Sequence, residues 1–565
     1  MDLSSYRNSV ISKSRKLEII IIMKKYLLAL PLAAVLGLTA CDDYLDVSPT
    51  NTLTTDSFWG SPYQAEQGLN GVYHDLVPMA YHTYYLADIP SDETYGEWDT
   101  ERTWSTLCVH DHNITALDEL NGAWTDYYEA IAHANTFLEK VPGITGFTSE
   151  AIKNQMLGEA YFIRAYCYFD LVRFFGNIPV FDHTLSLSEA LSLGQSAPTE
   201  VYKQIISDLE QAESLLNNAP TDYRGNAVAG KPTQIAAKAM LGRVYLTMAT
   251  HPDVNGGDSY KQLAKNKFAE VLAYAGIGEG NTSGTPTRYW AADAKEWAGM
   301  FLHENDNKYY IWELQYATDA AKTLGNNAIF EMQPEVRCDA FYPVRIFGNK
   351  LYAAADILEM YGHDGTSSFG SEGNHNKDKR ADWTVCYLTG NDLVNATSGT
   401  GYSGEPFYTK FLETTPKREA YGYEALNLSY NDYYKDEINF PIIRLEDVML
   451  MYCEVAGYSA YTLHLLNLIR ERATDAVTAA EAQADWAGVV KRERRLEFTQ
   501  EGIRWHDMVR NGEIEDYKAM LQKYYSTDYA QIAITNISSK YYRYAIPQDQ
   551  INIKDGLYEQ NPEYK

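Results

Sequence analysis

Apolar residues recur at steps of three and four along several segments of the chain, the spacing of one face of an α-helix. The segment 124–141 shows this pattern, and Pro142-Gly143 ends it. The residues predicted to share one face of this helix are Tyr127, Tyr128, Ile131, Ala134, Asn135 and Leu138. A second predicted helix pair covers 443–456 and 461–473. The pattern therefore predicts a mostly α-helical protein.

Two further helical segments carry the motif L-G-x-x-Y, at 157–161 and 241–245. The motif resembles the core of a tetratricopeptide helix, in which the glycine lets a partner helix approach closely. The two copies are 84 residues apart, which is not a multiple of the 34-residue repeat. A degenerate tetratricopeptide-like array and an ordinary helix hairpin both stay open.

Three long stretches show no helical period: 77–117, 252–310 and 333–439. They are rich in Gly, Asp, Asn, Ser and aromatic residues. Loops of this length within a folded body are usually functional, and a high aromatic content argues against disorder. We therefore expect a scaffold of helix pairs with long irregular insertions, few short strands, and a ligand-binding subdomain built from the insertions.

The amino-terminal segment is predicted to be a targeting signal. Residues 23–41 have two lysines, an apolar run too short to span a bilayer, and small residues before a cysteine. We assign 1–40 as a signal peptide, with Met23 as the start. Leu38 to Cys41 resembles a bacterial lipobox, which predicts lipidation of Cys41; the alternative is ordinary cleavage with an incidental thiol.

Composition excludes some classes of function. The chain has 565 residues, 45% of them hydrophobic, which suffices for a large core. The 48 Lys+Arg against 76 Asp+Glu give a net charge of -28, which would repel a nucleic-acid backbone. The cysteines after Cys41 are odd in number and lack C-x-x-C, so neither a disulfide framework nor a zinc site is indicated. Cys167 and Cys453 are expected to be buried.

Motifs for common catalytic chemistry are absent from the sequence. There is no G-x-S-x-G, H-E-x-x-H, P-loop or placed G-x-G-x-x-G, so we expect no enzyme activity, no cofactor and no metal. His110-Asp111-His112 lacks a third ligand and is interpreted as a solvated loop. Residues 253–258 have calcium-type oxygens but not the spacing of an EF-hand, so a turn is expected.

The segment 494–512 contains two glutamates, Glu497 and Glu501, that could be mistaken for the carboxylate pair of a glycosidase. The favoured interpretation is a structural network in which nearby arginines neutralise them; these would be Arg494, Arg495 and Arg504. Gly502 is expected to cap the first helix, and a second helix is expected to begin near Ile503. On it, Arg504, Asp507 and Arg510 lie at steps of three, on one face.

Six blocks in order along the chain give it a family resemblance. They read CDDYLDVSPTNTLTTDSFWGSPYQAEQGLNGVY (41–73), YFIRAYCYFDLVRFFGNIPVF (161–181), KPTQIAAKAMLGRVYLTMA (231–249), IIRLEDVMLMYCEVA with LNLIRERA (442–473), RRLEFTQEGIRWHDMVRNG (494–512) and AIPQDQINIKDGLYEQNPEYK (545–565). These blocks resemble the SusD/RagB family of nutrient-binding outer-membrane lipoproteins. The resemblance implies a single SusD-like body over 41–565, with an amino-terminal part to about 250 and a SusD/RagB part from about 251.

The same resemblance implies location and partners. A lipid anchor at Cys41 would hold the protein on the outer membrane, exposed at the cell surface. There it would act as a lid over a SusC-type TonB-dependent β-barrel transporter and deliver a captured nutrient, expected to be an oligosaccharide. The alternatives are peptide capture of the RagB type, a surface glycoside hydrolase, and a scaffold without its own ligand.

Two aromatic, polar loops fit an oligosaccharide site, because sugar rings stack on aromatic faces and their hydroxyls bond carboxylates, amides and guanidinium groups. The candidate ligand-binding residues of the first loop are Asp92, Glu93, Tyr95, Trp98, Arg102 and Trp104. Those of the second loop are Arg288, Tyr289, Trp290 and Trp297. The alternative is that these aromatic side chains plug the loop bases against the helical frame.

Overall fold

The computed structural model describes residues 58–96, 103–109, 112–302, 308–317, 351–363, 377–386, 406–411, 418–419, 421–424, 438–525, 528–537 and 542–565. The predicted signal peptide and Cys41 lie outside these residues. Ser61–Lys565 forms one unit by its internal contacts. Among the helices of the described residues, none combines the length and apolar character needed to cross a bilayer.

Helices dominate the described residues, as the sequence predicts. The helices before residue 300 are α1 (Pro62–His74), α2 (Met79–Thr83), α3 (Thr103–Cys108), α4 (Asp118–Lys140), α5 (Glu150–Phe175), α6 (Leu187–Ala190), α7 (Pro198–Leu215), α8 (Gln234–Thr250), α9 (Gly257–Tyr274) and α10 (Ala294–Gly299). Those after it are α11 (Ala355–Met360), α12 (Arg380–Thr384), α13 (Leu445–Ala456), α14 (Ala460–Glu471), α15 (Ala479–Ala484), α16 (Trp486–Glu497), α17 (Arg504–Asn511), α18 (Ile514–Tyr524), α19 (Asp528–Asn536) and α20 (Gln548–Asn552).

The long helices pack in a chain of neighbours. Helix α4 packs on α5, α5 on α7, α7 on α8, α8 on α9, α9 on α13, and α13 on α14. Such nearest-neighbour stacking is characteristic of repeat scaffolds. The predicted helices at 124–141, 443–456 and 461–473 are therefore confirmed as α4, α13 and α14; α4 begins six residues earlier than predicted, at Asp118, and the other ends agree within two residues.

The two L-G-x-x-Y glycines lie where helices approach closely. A Cβ added at Gly158 on α5 would come within 2.8 Å of the Leu216 side chain, just after α7. A Cβ added at Gly242 on α8 would overlap the ring of Phe268 on α9. The role predicted for these glycines is confirmed, because no larger side chain fits at either contact without movement.

Short antiparallel strands join distant parts of the chain. β1 (Thr94–Gly96) pairs with β3 (Leu351–Ala353), and β2 (Tyr310–Leu314) pairs with β6 (Phe440–Arg444). β4 (Val385–Cys386) pairs with β5 (Phe407–Tyr408). Each described sheet has two strands, so the prediction of few short strands within the irregular insertions is confirmed.

The expected irregular stretch at 252–310 is partly wrong, because it contains the 18-residue helix α9. Its buried residues Ala264, Phe268, Val271 and Leu272 follow helical spacing. The other positions of α9 are mostly polar, and two glycines, Gly256 and Gly257, stand at its start. The apolar periodicity that predicts a helix is therefore weak in this segment. The stretch 77–117 also contains α2, a π-helical turn (Tyr84–Asp88) and α3.

Most of the other local expectations are confirmed, and the cap expected at Gly502 is wrong. Cys167 and Cys453 are buried free thiols, as is Cys108. The turn expected at 253–258 is confirmed only in its first part: residues 252–254 form a turn, in which Asp253 accepts a hydrogen bond from the Tyr542 hydroxyl, whereas Gly257 and Asp258 begin α9. Helix α17 begins at Arg504, close to the predicted Ile503. Gly502 has a left-handed φ of 68°, but it is not the cap of α16, which ends earlier, at Glu497.

Candidate functional site

The described residues of the first aromatic loop lie inside the protein. Asp92 is 7% exposed and accepts two hydrogen bonds of 2.7 Å from Arg504. Burial would raise the pKa of Asp92, but Arg504 and Arg495 lower it below its usual value. This carboxylate therefore joins the loop to the residues around α17, and each of its oxygens already accepts a hydrogen bond from Arg504.

Glu93 and Tyr95 are also buried. Glu93 accepts a hydrogen bond from the backbone of Gln500, and burial, with Asp88 and Asp92 nearby, raises its pKa well above the usual range. The ring of Tyr95 stacks on Tyr524 with centroids 4.0 Å apart. In this structure neither side chain offers a free surface to a sugar, which agrees with the alternative that such residues plug the loop base.

The second loop divides its aromatic residues between interior and surface. Asp293 caps α10 by accepting a hydrogen bond from the Glu296 backbone, which fixes the short helix. The helix places Trp297, 1% exposed, against the interior, where its indole nitrogen donates to Glu497 Oε1 at 3.0 Å. Lys295 lies on the exposed side of the same helix.

Glu497 lies at the centre of a buried group that we call the Glu497 cluster: Glu497, Arg380, Arg444, Arg472 and Trp297. The three arginines donate to the glutamate carboxylate at 2.7, 3.0 and 3.0 Å. Burial alone would favour the neutral acid, but the arginines and Lys410 hold the pKa of Glu497 well below its usual range. A general acid needs the opposite shift, so the structural interpretation is favoured over a glycosidase acid.

The predicted partners of Glu497 and Glu501 are wrong, although the network itself is present. Glu501 is bound by Arg444, at 2.7 and 2.9 Å, and by Lys410. The arginines that lie nearest in sequence bond elsewhere.

Arg494 bonds Asp447 and Asp507, and Arg495 bonds Asp356. Arg504 bonds Asp92 and Glu513. The charges of Arg504, Asp507 and Arg510 were predicted to meet on one face of α17. Only Asp507 and Arg510 form an ion pair there, with Arg510 Nη2 at 2.8 Å from Asp507 Oδ1. Helical geometry directs the guanidinium groups of these neighbouring arginines away from Glu497. Arginines more distant in sequence, Arg380, Arg444 and Arg472, bind it instead.

The Glu497 cluster also supports the surface of the second loop. Arg472 bonds Glu446 and Glu497, donates to the backbone oxygen of Ala291, and places its guanidinium carbon 4.6 Å from the Trp290 ring centroid. Trp290 is half-buried, and its indole nitrogen has no hydrogen-bond partner among the described residues. One ring face is thus fixed by a buried cation, while an indole donor stays available.

Tyr289 precedes Trp290 with a φ of 56°, a left-handed conformation that is strained for a bulky side chain. Such strain is tolerated where surrounding contacts enforce it, often at functional sites. Tyr289 is half-buried, and its neighbour Arg288 is exposed. The Arg288 guanidinium carbon lies 4.7 Å from the Tyr274 ring centroid, and its Nη1 donates to the Tyr274 backbone oxygen.

Two tyrosines from the 333–439 stretch were missed by sequence reasoning, and one of them, Tyr423, contacts Lys295. The Tyr423 hydroxyl donates to the Lys295 backbone oxygen at 2.9 Å, and the Lys295 ammonium lies 5.0 Å from the Tyr423 ring centroid. Tyr421 packs edge-on against buried Trp383. Both tyrosines are partly exposed; their spacing, Tyr-Gly-Tyr, was the available signal.

We call the resulting set the 288–295 surface. It consists of Arg288, Tyr289, Trp290 and Lys295, with Tyr423 from the later insertion. The surface combines partly exposed rings with two cations and sits on a buried ionic base.

Among the remaining predicted site residues, Trp98 and Arg102 lie outside the described residues, as do His110 and Asp111. The backbone of Trp104 is part of α3, but its side chain and that of His112 are not described.

Comparison with known proteins identifies the family. Residues 43–246 match a family described as starch-binding and associating with the outer membrane, SusD-like, and residues 308–564 match the SusD family, SusD/RagB. The chain belongs to the SusD/RagB family. The predicted resemblance is confirmed, and the two matches together cover most of the sequence.

Relatives in this family are distant but of similar length. The chain is 25% identical to SusD-like protein P38 of Formosa agariphila, over 84% of this chain and 88% of the relative. It is also 25% identical to a SusD-like protein of Bacteroides ovatus, over 86% of this chain and 83% of the relative. The match thus extends over nearly the full length of both SusD-like proteins.

Solved structures confirm the SusD-like fold. A laminarin-binding SusD-like protein superposes with a TM-score of 0.65 at 21% identity, covering 89% of this chain and 99% of that one. Surface glycan-binding protein A of Bacteroides fluxus gives 0.64 at 22% identity, with the same coverage. At this identity the comparison establishes the fold.

Proposed function

We propose that this SusD/RagB protein binds oligosaccharides at the cell surface, without altering them, through the 288–295 surface. The observation that carries the proposal is Trp290, a partly exposed ring backed by Arg472 and with an unused indole donor. Sugar rings stack on such faces, and their hydroxyls accept from indole, guanidinium and ammonium groups. The names of the laminarin-binding and glycan-binding neighbours support a glycan as the ligand class.

This proposal reduces the set of ten ligand-binding residues that the sequence predicts. Arg288, Tyr289 and Trp290 are retained as ligand-contacting residues, and Trp98, Arg102 and Trp104 remain candidates from the first loop. Asp92, Glu93, Tyr95 and Trp297 are assigned supporting roles, because their side chains are buried and bonded within the protein. Ligand contact by any of them would require the loop to rearrange.

The proposal also includes the lipid anchor at Cys41 and delivery to a SusC-type TonB-dependent β-barrel. The family description, association with the outer membrane, supports this location. Palmitate labelling of the full precursor tests the anchor, with Cys41→Ala as the control that should stay unlabelled. Copurification from outer membranes tests the barrel partner.

Calorimetric titration of the mature protein against plant, host and microbial glycans, and against peptides, tests the binding function. We expect heat of binding with one glycan class and no release of reducing ends over hours. Binding of peptides alone would favour the RagB-type alternative, and release of reducing ends would favour a glycoside hydrolase. Absence of binding to either ligand class would favour a scaffold.

A further inference from the structure

A group of three potential metal ligands, none of them part of the 288–295 surface, lies at helices α1 and α4. Asp75 caps the carboxyl end of α1, and Glu129 and His133 lie four residues apart on α4. Positions i and i+4 share one helix face, and α1 packs against that helix. One ligand atom from each residue lies within 4.8 Å of the others.

We propose that Asp75, Glu129 and His133 bind a zinc ion that links α1 to α4. In a tetrahedral zinc site with bonds of about 2.1 Å, ligand atoms are about 3.4 Å apart, a spacing compatible with three atoms that all lie within 4.8 Å of one another. The imidazole nitrogen favours zinc over calcium or magnesium, which prefer all-oxygen ligands. Three protein ligands would leave a fourth position for water.

The electrostatics of the group favour a cation. Two carboxylates lie close together, and the Glu129 carboxylate has no hydrogen-bond or ion-pair partner among the described residues. The Asp75 side chain is only 11% exposed, and its hydrogen bond from His133 Nδ1, at 2.7 Å, is the one its carboxylate accepts within the described part of the chain. A net charge of -28 adds a negative background potential that attracts cations.

A proton is the competitor of the metal at this site. The hydrogen bond with Asp75, together with the charges of Asp75 and Glu129, raises the pKa of His133. A protonated imidazole would itself partly neutralise the two carboxylates.

The site is also accessible, since the His133 side chain is 52% exposed and Glu129 is exposed. Sequence analysis predicted no metal, because Asp75 is more than fifty residues from the other two ligands and no regular motif joins them. The pairing becomes visible only when α1 packs on α4. Zinc binding would add a cross-link near the beginning of the folded body.

Titration of zinc chloride into the tag-free mature protein at pH 7.5 tests the proposal. We expect one ion per chain and at least tenfold weaker binding in His133→Ala and in Glu129→Gln. His183→Ala is the matched control: His183 is equally exposed and bonds one neighbouring carboxylate, Asp182, so this variant should bind zinc like the wild type.

Cobalt substitution gives a second readout. A tetrahedral site containing His133 should produce visible absorption bands that disappear in His133→Ala. All variants change exposed side chains, and circular dichroism would verify their fold. Absence of zinc binding would overturn the proposal in favour of a protonated His–Asp–Glu group, and zinc binding that persists unchanged in His133→Ala would overturn it too.

Discussion

The guanidinium carbon of Arg472 lies 4.6 Å from the ring centroid of Trp290, while the same guanidinium donates to Glu497 inside the protein. Arg472 thereby connects the buried Glu497 cluster to the proposed glycan-binding surface. A ring held in place before binding loses little conformational entropy when a ligand stacks on it, which favours affinity. In the proposed site, the ionic interior of this SusD/RagB protein thus supports the binding surface as well as the fold.

Replacing Trp290 by alanine should weaken glycan binding at least tenfold, about 1.4 kcal/mol, because the stacking face and the indole donor are both lost. Calorimetry with the best glycan ligand measures this change. Trp486→Ala is the control, since Trp486 is a half-buried tryptophan on α16 whose indole donates to the Cys453 backbone oxygen. Unchanged affinity in Trp290→Ala would exclude this residue as a ligand contact.

Replacing Glu497 by glutamine should destabilise the protein by about 3–5 kcal/mol. The substitution removes the negative charge that compensates Arg380, Arg444 and Arg472, and uncompensated buried charges are costly. Urea unfolding monitored by tryptophan fluorescence measures the loss. Glu200→Gln breaks an exposed pair with Lys203 and should unfold like the wild type. Equal stability of both variants would contradict a structural role for the cluster.

The arginine partners of Glu497 could not be predicted from the sequence. Glu497 was correctly predicted to be structural, but two of its arginine partners lie 53 and 117 residues away. With 48 cationic and 76 acidic side chains, local spacing cannot select such pairs. The positions of single helices could be predicted from the sequence, because they depend on residues within one or two helical turns.

The same limit applies to the candidate site. Trp290 and Trp297 lie in one short loop of uniform aromatic and polar composition, yet one reaches the surface and the other is buried against Glu497. Composition identifies the loop, whereas exposure depends on how α10 docks on the interior. Tyr423 comes from another insertion and could be associated with this loop only through the fold.

Alanine should lower the stability of the protein at the two glycines that lie at helix contacts, Gly158 and Gly242. At a helical glycine with free space around it, alanine should raise the stability. Gly158→Ala and Gly242→Ala should each destabilise by about 1–3 kcal/mol, because the new methyl groups meet the buried side chains of Leu216 and Phe268. Gly71→Ala, in α1 with nothing near the added Cβ, should instead stabilise by up to about 1 kcal/mol. Urea unfolding of the three variants checks both signs.

Asp88 should make the protein less stable as the pH rises. Burial, with the nearby Glu501, raises the Asp88 pKa to about 8, despite the opposing effects of the Gly502 backbone donor and Lys410. The folded state therefore holds this proton more tightly than the unfolded chain, and its stabilisation is lost as the pH increases from about 4 to about 8.

The variant Asp88→Asn tests this effect. It keeps an oxygen that can accept from the Gly502 backbone, at 2.8 Å in the wild type, and it does not titrate. We expect a gain on the order of 3 kcal/mol at pH 7 and a smaller decrease in stability between pH 5 and pH 8. Unfolding free energies at four pH values measure it, and a parallel profile for the two proteins would contradict the assignment.

His251 should have the opposite pH dependence. Burial, with Arg173 and Arg543 nearby, lowers its pKa to about 4, although Asp253 acts against this shift. The unfolded chain takes up a proton near pH 6.5 and the folded protein does not, so stability should fall as the pH decreases from about 6.5 to about 4. The contribution of this one residue is up to about 3 kcal/mol.

The variant His251→Asn should reduce this acid sensitivity. Its amide oxygen can take the place of Nδ1, which accepts from the Asp253 backbone at 3.2 Å, and it carries no titrating group. We expect less loss of unfolding free energy between pH 6.5 and pH 4 than in the wild type. His183→Asn, at an exposed histidine, should keep the wild-type dependence. If His251→Asn followed the wild-type curve over this range, His251 would have to be accessible to protons in the folded state, contrary to its burial among cationic side chains.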